Sequence, residues 1–348
     1  MSLGEPIAKK VKVSEQNHPM NAVKKIVTHS GSFHADEALA VYMLRLLPTY
    51  QTAIVVRSRD PKVWETADII VDVCGEYDPS QNKFDHHQRT FNEYFNESKK
   101  TTKLSSAGLI YKHFGHEIIS EILSSSPVND KDLETLYVKI YDDFVESIDA
   151  NDNGVSSYPK DYDLPFKTGK LSLPGVISSM NPVWNDEDQS SEKFDTNFQM
   201  ASQFIGDIFK RYVYNTGASW LPAKNFVVEA VSKRDELDPS RGAIIEFSRF
   251  VPWKEHLYEV EKELGIEGQI KFVLFPDSNK SYRVSTVSVA PGSFDFRLGL
   301  PEALRGLRDD ELSVKSGIEG GVFVHASGFI GGFKTREGAL KLAQQSFN

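Results

Sequence analysis

Four of the nine histidines fall between residues 29 and 87, and each stands beside a carboxylate or just after an apolar run. His29 follows the run Lys24 to Thr28, His34 and Asp36 bracket the start of a helical pattern, Asp72 ends Ala67 to Asp72, and Asp85, His86 and His87 close another short strand. Imidazole and carboxylate together suit divalent transition metals such as Mn²⁺, Zn²⁺ or Fe²⁺. With Cys74 as the single thiol, no thiolate set is present to demand structural zinc. Asp149 extends the set from the end of a long apolar helical face, in Ile148-Asp149-Ala150-Asn151-Asp152-Asn153-Gly154. Four such sources could hold two ions ~3.5–4 Å apart, with one carboxylate bridging. A lone His or Asp at a strand end is more often a cap or a hydrogen-bonded core group. Recurrence at equivalent topological positions is what favours a metal.

The elements that must deliver these groups alternate. Apolar strands are expected at 24–28, 52–56, 67–72 and ending at 84–85, with helices from Ala35 to Pro48, Ser105 to Phe114 and Leu133 to Ile148. Strands alternating with helices predict an α/β fold with a mostly parallel sheet, whose strand carboxyl ends converge on one crevice. Residues 151–192 read as long loops around Asn181-Pro182-Val183-Trp184, and 194–213 as a helix. From Phe226 onward the pattern turns to strands, at 243–247, 270–275 and 282–289, predicting a smaller α+β domain. The expected division is a basic tail over 1–21, a metal-binding catalytic domain over 22–222 and a substrate-binding domain over 223–348.

A second candidate site lies near the C-terminus. Val322 to His325 reads as a strand, Ser327 to Gly332 as a flexible glycine loop, and Lys334, Thr335 and Arg336 open a final helix over 337–347. Glycines leading into a helix N-terminus let backbone N–H groups approach an anion, and Lys334 and Arg336 add charge where the helix dipole disfavours it. Gly331, Gly332, Lys334 and Arg336 are therefore candidate phosphate contacts, with Arg297, Arg305 and Arg308 as weaker ones. Phe91, Tyr94 and Phe95 beside Lys99, Lys100 and Lys103 could form a stacking groove for single-stranded RNA, although such stripes more often cover a core.

Composition bounds what surrounds these sites. The chain has 348 residues, 40% hydrophobic and 26% charged, which excludes a disulfide miniprotein and wholesale disorder. A net charge of −9 repels polyanions except where cations concentrate locally. No apolar run approaches the ~18 residues that span a bilayer, and a single cysteine marks no oxidising compartment, so the cell interior is the default. Lys9, Lys10 and Lys12 read either as a nuclear-import cluster or as a solvated tail.

The string His29-Ser30-Gly31-Ser32-Phe33-His34-Ala35-Asp36-Glu37, the strand end Val71-Asp72, the Asp85-His86-His87 triplet and Asp149 resemble the ordered motifs of the DHH phosphoesterase superfamily. Within it the chain resembles the melanocyte-proliferating-gene branch, 3′-to-5′ RNA exonucleases, from about residue 22 onward. The resemblance implies His29, His34, Asp36, Asp72, His86 and Asp149 as metal ligands. Mn²⁺ is the leading cofactor, with Mg²⁺ or another transition metal as substitute. It also implies a cleft between a parallel-sheet domain and the C-terminal domain, His325 among the substrate contacts, and a nuclear, cytoplasmic or mitochondrial setting. His34 stands where the commoner motif has its first Asp, one residue farther from His29, which makes the site one unit less negative. Asp85 reads as the group that fixes a histidine tautomer, and His87 as the group that faces the scissile phosphate.

The expected activity is metal-dependent phosphodiester hydrolysis at an RNA 3′ end, releasing 5′-mononucleotides. A small phosphate ester or pyrophosphate is the alternative substrate, and a non-catalytic metal-containing regulator is the rival from another class. No membrane partner is expected, and oligomeric state is not legible.

Overall fold

Ile26 and Val27 are fully buried in a four-residue strand, β1 (Lys25–Thr28), and everything in the first sheet is paired outward from it. The computed structural model describes residues 23–159, 161–163 and 171–348; the basic tail expected over 1–21 lies outside them. In chain order there follow α1 (Ala35–Leu46), β2 (Ile54–Arg57), α2 (Pro61–Trp64), β3 (Ile69–Val71), β4 (Tyr77–Asp78) and β5 (Lys83–Phe84). Next come α3 (Ser106–Ile122), α4 (Asp130–Ile140), α5 (Glu146–Asp152), α6 (Leu173–Ser179), α7 (Ser191–Asn215), α8 (Leu221–Ser232) and α9 (Arg234–Leu237). The remainder is β6 (Ile244–Glu246), α10 (Lys254–Leu264), β7 (Phe272–Pro276), β8 (Tyr282–Thr286), α11 (Asp309–Ser316), β9 (Gly321–Val324), β10 (Ile330–Phe333) and α12 (Arg336–Gln345).

The result is a mixed α/β chain with two five-stranded sheets. The first runs β2-β1-β3-β5-β4, parallel except for the β4–β5 pair. The register Thr28↔Arg57, Val27↔Ile70 and Val71↔Phe84 brings the carboxyl ends of β1, β2, β3 and β5 to one edge. His29, Asp72 and Asp85 each stand one residue beyond those ends, so parallel pairing alone delivers all three together. The second sheet runs β6-β7-β8-β10-β9, with β6 parallel to β7 and the rest antiparallel. Its two faces bury separate apolar clusters, one around Val273, Phe275 and Trp253 and the other around Leu274, Val284 and Leu342.

Two compact units emerge: the described residues up to Lys112 with Ile148–Gln203, and His113–Ser147 with Phe204–Asn348. Among the described residues, no helix is long and apolar enough to cross a membrane.

Several expected elements change character. Residues 226–228 are helical, inside α8, and not the start of a strand region: only Val227 is fully buried while Phe226 and Val228 are partly exposed, a one-sided pattern that suits a helix. The expected loop over 151–192 contains α6, started by Ser172, whose side chain accepts from the Gly175 N–H. The helix expected over 133–148 begins at Asp130, carries one π turn over Tyr141–Val145 and continues to Asp152. Gly331 and Gly332 are not in a flexible loop; they lie inside β10, where a Cβ at Gly332 would strike the Arg283 guanidinium and one at Gly331 would crowd Leu342 and Leu300. They are glycine because neighbours pass close over the strand. Phe91 and Phe95 are buried and Lys103 donates to the Phe91 carbonyl, so this stretch covers the core.

The start of α3 is held from outside the helix. Asp149 Oδ1 accepts from the Ser105 N–H (2.9 Å), the Ser105 hydroxyl (2.7 Å) and the Gly108 N–H (3.0 Å), all buried. A carboxylate there satisfies first-turn donors and complements the dipole. A Cβ at Gly108 would lie against that carboxylate, so Gly108→Ala is expected to lower stability by about 1–3 kcal/mol in urea unfolding.

Candidate metal centre

The loop from β1 to α1 makes its turn at Gly31, whose φ of +90° is a conformation that glycine adopts without penalty. This lets His29 end the strand and His34 cap the helix, with their ring centroids 6.0 Å apart. The His34 N–H donates to Glu37 Oε1 (2.9 Å), so Glu37 is folded back to the helix start. Asp36, in the first turn, is buried beside it. Asp72 has φ of +57° and Cys74 +93°, and this kinked backbone turns the Asp72 carboxylate inward.

Around these turns the side chains interlock. His29 Nε2 lies 3.0 Å from Glu37 Oε1 and 3.3 Å from Asp72 Oδ2. His86 reaches Asp72 Oδ1 with Nδ1 (3.5 Å) and Asp152 Oδ2 with Nε2 (2.8 Å). Ser106 donates its hydroxyl proton to Asp72 Oδ1 at 2.9 Å. Three combinations bring ligand atoms within 4.8 Å of one another: Asp36, Glu37 and Asp72; Asp36, His86 and Asp152; and His29, His34 and Glu37. A further group joins Asp72, Asp85, His86 and His87.

The electrostatics are those of a site short of positive charge. Burial, then the neighbouring Asp72 and Glu37 carboxylates, push the Asp36 carboxyl well above the ordinary range. Burial opposes a charge on His29, yet its hydrogen bonds to Asp72 and Glu37 outweigh it and push the imidazole up to about 10. Both Asp36 oxygens and Glu37 Oε2 are buried without a hydrogen-bond partner. Buried carboxylate oxygens are ordinarily satisfied, and divalent transition metals take such oxygens together with imidazole nitrogen. The donor set therefore fits a divalent cation.

The expected site residues distribute as follows. His29, His34, Asp36, Asp72 and His86 come together. Asp149 makes the α3 contacts described above, and Asp152, one helical turn later, is the carboxylate facing His86. Asp85 accepts from the Gly75 N–H (2.5 Å), the His87 N–H (3.0 Å) and His87 Nδ1 (2.8 Å). His87 remains 62% exposed, and its bond to Asp85 raises its basicity above the ordinary range. Glu37 and Asp152 were not singled out as ligands from sequence; their spacing, one residue after Asp36 and three after Asp149, was the available signal.

A cleft of about 880 Å³ opens over these groups, its lining including His29, His34, Asp72, His86, His87 and Asp152. Arg59, Arg89 and Trp64 also line it. Arg59 Nη2 sits 3.1 Å from His29 Nδ1. Burial pushes the Cys74 thiol, also in the lining, up to about 11, which keeps it protonated.

In the second unit, His325 is exposed and its Nδ1 lies 2.8 Å from the Ser327 hydroxyl. Lys334 is exposed, Thr335 caps α12, and Arg336 is held in a two-pronged ion pair with Glu246 (2.7–3.0 Å). Arg297 is buried against Glu261, and Arg305 donates to the Leu300 carbonyl.

A parallel sheet whose strand ends gather imidazoles and carboxylates beside the unsatisfied carboxylates of α1, under an open cleft, defines an α/β protein with a candidate divalent-cation centre. The chain belongs to the MYG1 exonuclease family, whose model, described as Uncharacterised protein family (UPF0160), matches residues 25–347. It is similar to MYG1 protein YER156C of Saccharomyces cerevisiae, 58% identical over 327 residues that cover 93% of this chain and 95% of that protein. MYG1 protein C694.04c of Schizosaccharomyces pombe is 52% identical over 329 residues, 94% of this chain and 99% of that one. MYG1 exonuclease of Homo sapiens is 46% identical over 328 residues, 93% of this chain and 85% of that protein.

Two expectations follow for metal-free protein. Asp36→Asn removes one of three mutually repelling carboxylates and is expected to raise Tm by a few degrees, read by calorimetry. The His29 value is raised on folding, so its stabilising contribution is complete below about pH 6.5 and is lost as pH rises through about 10. Urea midpoints across that window should fall as pH rises.

Proposed function

We propose that this chain is a metal-dependent phosphodiesterase of the DHH type, acting as an exonuclease on RNA 3′ ends. The observation that carries the reading is the set of buried, unsatisfied oxygens of Asp36 and Glu37 beside His29, Asp72 and His86, which themselves line a cleft that also presents Arg59 and Arg89. Relatives named exonuclease, the Homo sapiens protein among them, support the polymer substrate.

His29, His34, Asp36, Asp72 and His86 would hold the metal, with Asp152, one helical turn beyond Asp149, completing the set. Bound divalent cations, Mn²⁺ first, supply Lewis acidity that lowers the pKa of a water and neutralises phosphoryl charge. The chain's own groups do the rest. Arg59 and Arg89 bind phosphate oxygens along the cleft wall. Asp85 holds His87 through Nδ1, which leaves Nε2 to face the substrate. The Asp85 hydrogen bond raises the basicity of His87, which suits it to carry a proton toward the departing oxygen. Lys334 and His325, both exposed in the second unit, are candidate contacts for a phosphate.

The test is end-labelled RNA incubated with the pure protein. EDTA should abolish turnover and Mn²⁺ restore it, with a ladder of single-nucleotide steps from the 3′ end. His86→Ala should lose at least 100-fold in kcat with the fold retained, and His87→Ala about 10²–10⁴-fold. Turnover of pyrophosphate or dinucleotides without a ladder would replace RNA by a small phosphate ester, which the net charge of −9 favours. Native turnover by His86→Ala would remove the metal reading. Asp149→Ala should lower Tm and leave metal affinity within about threefold, whereas Asp152→Ala should reduce affinity about tenfold or more, as titration calorimetry would show.

A further inference from the structure

Three backbone carbonyls in the loop between His29 and His34 are held by side chains from elsewhere in the chain. Arg59 Nε donates to the Ser30 carbonyl (3.2 Å), Arg57 Nη2 to the Gly31 carbonyl (2.6 Å) and Asn181 Nδ2 to the Phe33 carbonyl (2.8 Å). Asn181 also accepts the Phe33 N–H through Oδ1 (2.9 Å). One carboxamide thus satisfies both polar groups of the residue directly before His34, as a neighbouring strand would.

The anchors are themselves locked. Arg57, whose side chain is 2% exposed, donates through Nη1 to Asp195 on α7 (3.1 Å) and packs over the Phe198 ring at 4.6 Å. Phe33 is fully buried with its ring edge-on to Phe198, the centroids 5.8 Å apart. Asn197, two residues after Asp195 on α7, donates to the Met180 carbonyl (2.9 Å) and so fixes the turn that carries Asn181. Ser202 donates to the Ala38 carbonyl in α1 (2.7 Å). Residues 180–202 therefore grip both the loop and the helix that present His29, His34, Asp36 and Glu37. None of these anchors belongs to the ligand clusters.

We infer that Asn181 and Arg57 are positioning residues for the metal centre: they set the separation and aim of His29 and His34 by pinning the backbone between them. The inference rests on the metal reading proposed above. A loop turned by a glycine has many open conformers, and each anchor removes some of them, so the cation meets a preformed pair of imidazoles instead of ordering them itself. Outer hydrogen bonds of this kind change metal affinity by about 10–100-fold.

The experiment uses the full chain, Mn²⁺ titrated calorimetrically, and hydrogen exchange at the Phe33 amide. Asn181→Ala should weaken Mn²⁺ binding by about tenfold or more and speed Phe33 exchange, with kcat lowered and KM for a diester probe unchanged. Asn181→Asp keeps the acceptor for the Phe33 N–H but loses the donor to its carbonyl, and should fall between the two. Arg57→Lys cannot span Gly31 and Asp195 together, so it should weaken Mn²⁺ binding even if Asn181→Ala proves unfolded. Folded variants that bind Mn²⁺ as tightly as the native chain overturn the positioning role, whatever happens to Tm. A native chain that binds no Mn²⁺ overturns the metal reading itself, and the positioning role with it.

Discussion

Asp36, Glu37 and Asp72 bring carboxylate oxygens within 4.8 Å of one another in a buried place, and the first unit is organised around that repulsion. At such distances two like charges cost about 3–4 kcal/mol even at an effective dielectric near 20, before any desolvation. Positive charge must enter. In the metal-free protein part of it comes from His29, whose imidazolium bridges Glu37 and Asp72. Two Asp36 oxygens and one of Glu37 are left without donors, so the cluster could take up a cation stronger than a ring proton.

Holding such a cluster requires backbone that would otherwise relax. Positive φ at Gly31, Asp72 and Cys74 turns the chain sharply where β1 and β3 end, and only the glycine does so freely. The strain at Asp72 is sustained by a hydroxyl from Ser106, at the start of α3, and α3 is itself held by Asp149. A run of hydrogen bonds thus connects α5, through the first turn of α3, to the end of β3. Core packing of Ile26, Val27 and Ile70 supplies the rigid sheet from which these turns project.

Much of this was legible along the chain. β1, α1 and β3 lie within one or two residues of their expected spans, because short apolar runs bounded by Gly, Pro and charged residues have few alternative readings. Residues 226–228 were not legible: Phe-Val-Val carries strand propensity, yet packing of Val227 and Val231 beside Val273 makes it helix. Gly331 and Gly332 resemble an anion loop in sequence, and only the register with Arg283 shows why side chains are excluded there. Arg336 looks available until Glu246, ninety residues away, is seen to hold it.

By itself the sequence determined the parallel sheet, the identity of the groups at its strand ends, and their chemistry, since residue type fixes what an atom can donate or accept and periodicity fixes where a strand stops. The tertiary structure alone decided the partners: Glu37 against His29, Asp152 against His86, Asp149 on α3, and Asn181 on the loop. Hydrogen bonds reach about 3 Å and Coulomb attraction in a buried site only a few times farther. Which groups come that close is set by how helices pack across gaps of tens of residues, and no local pattern records it.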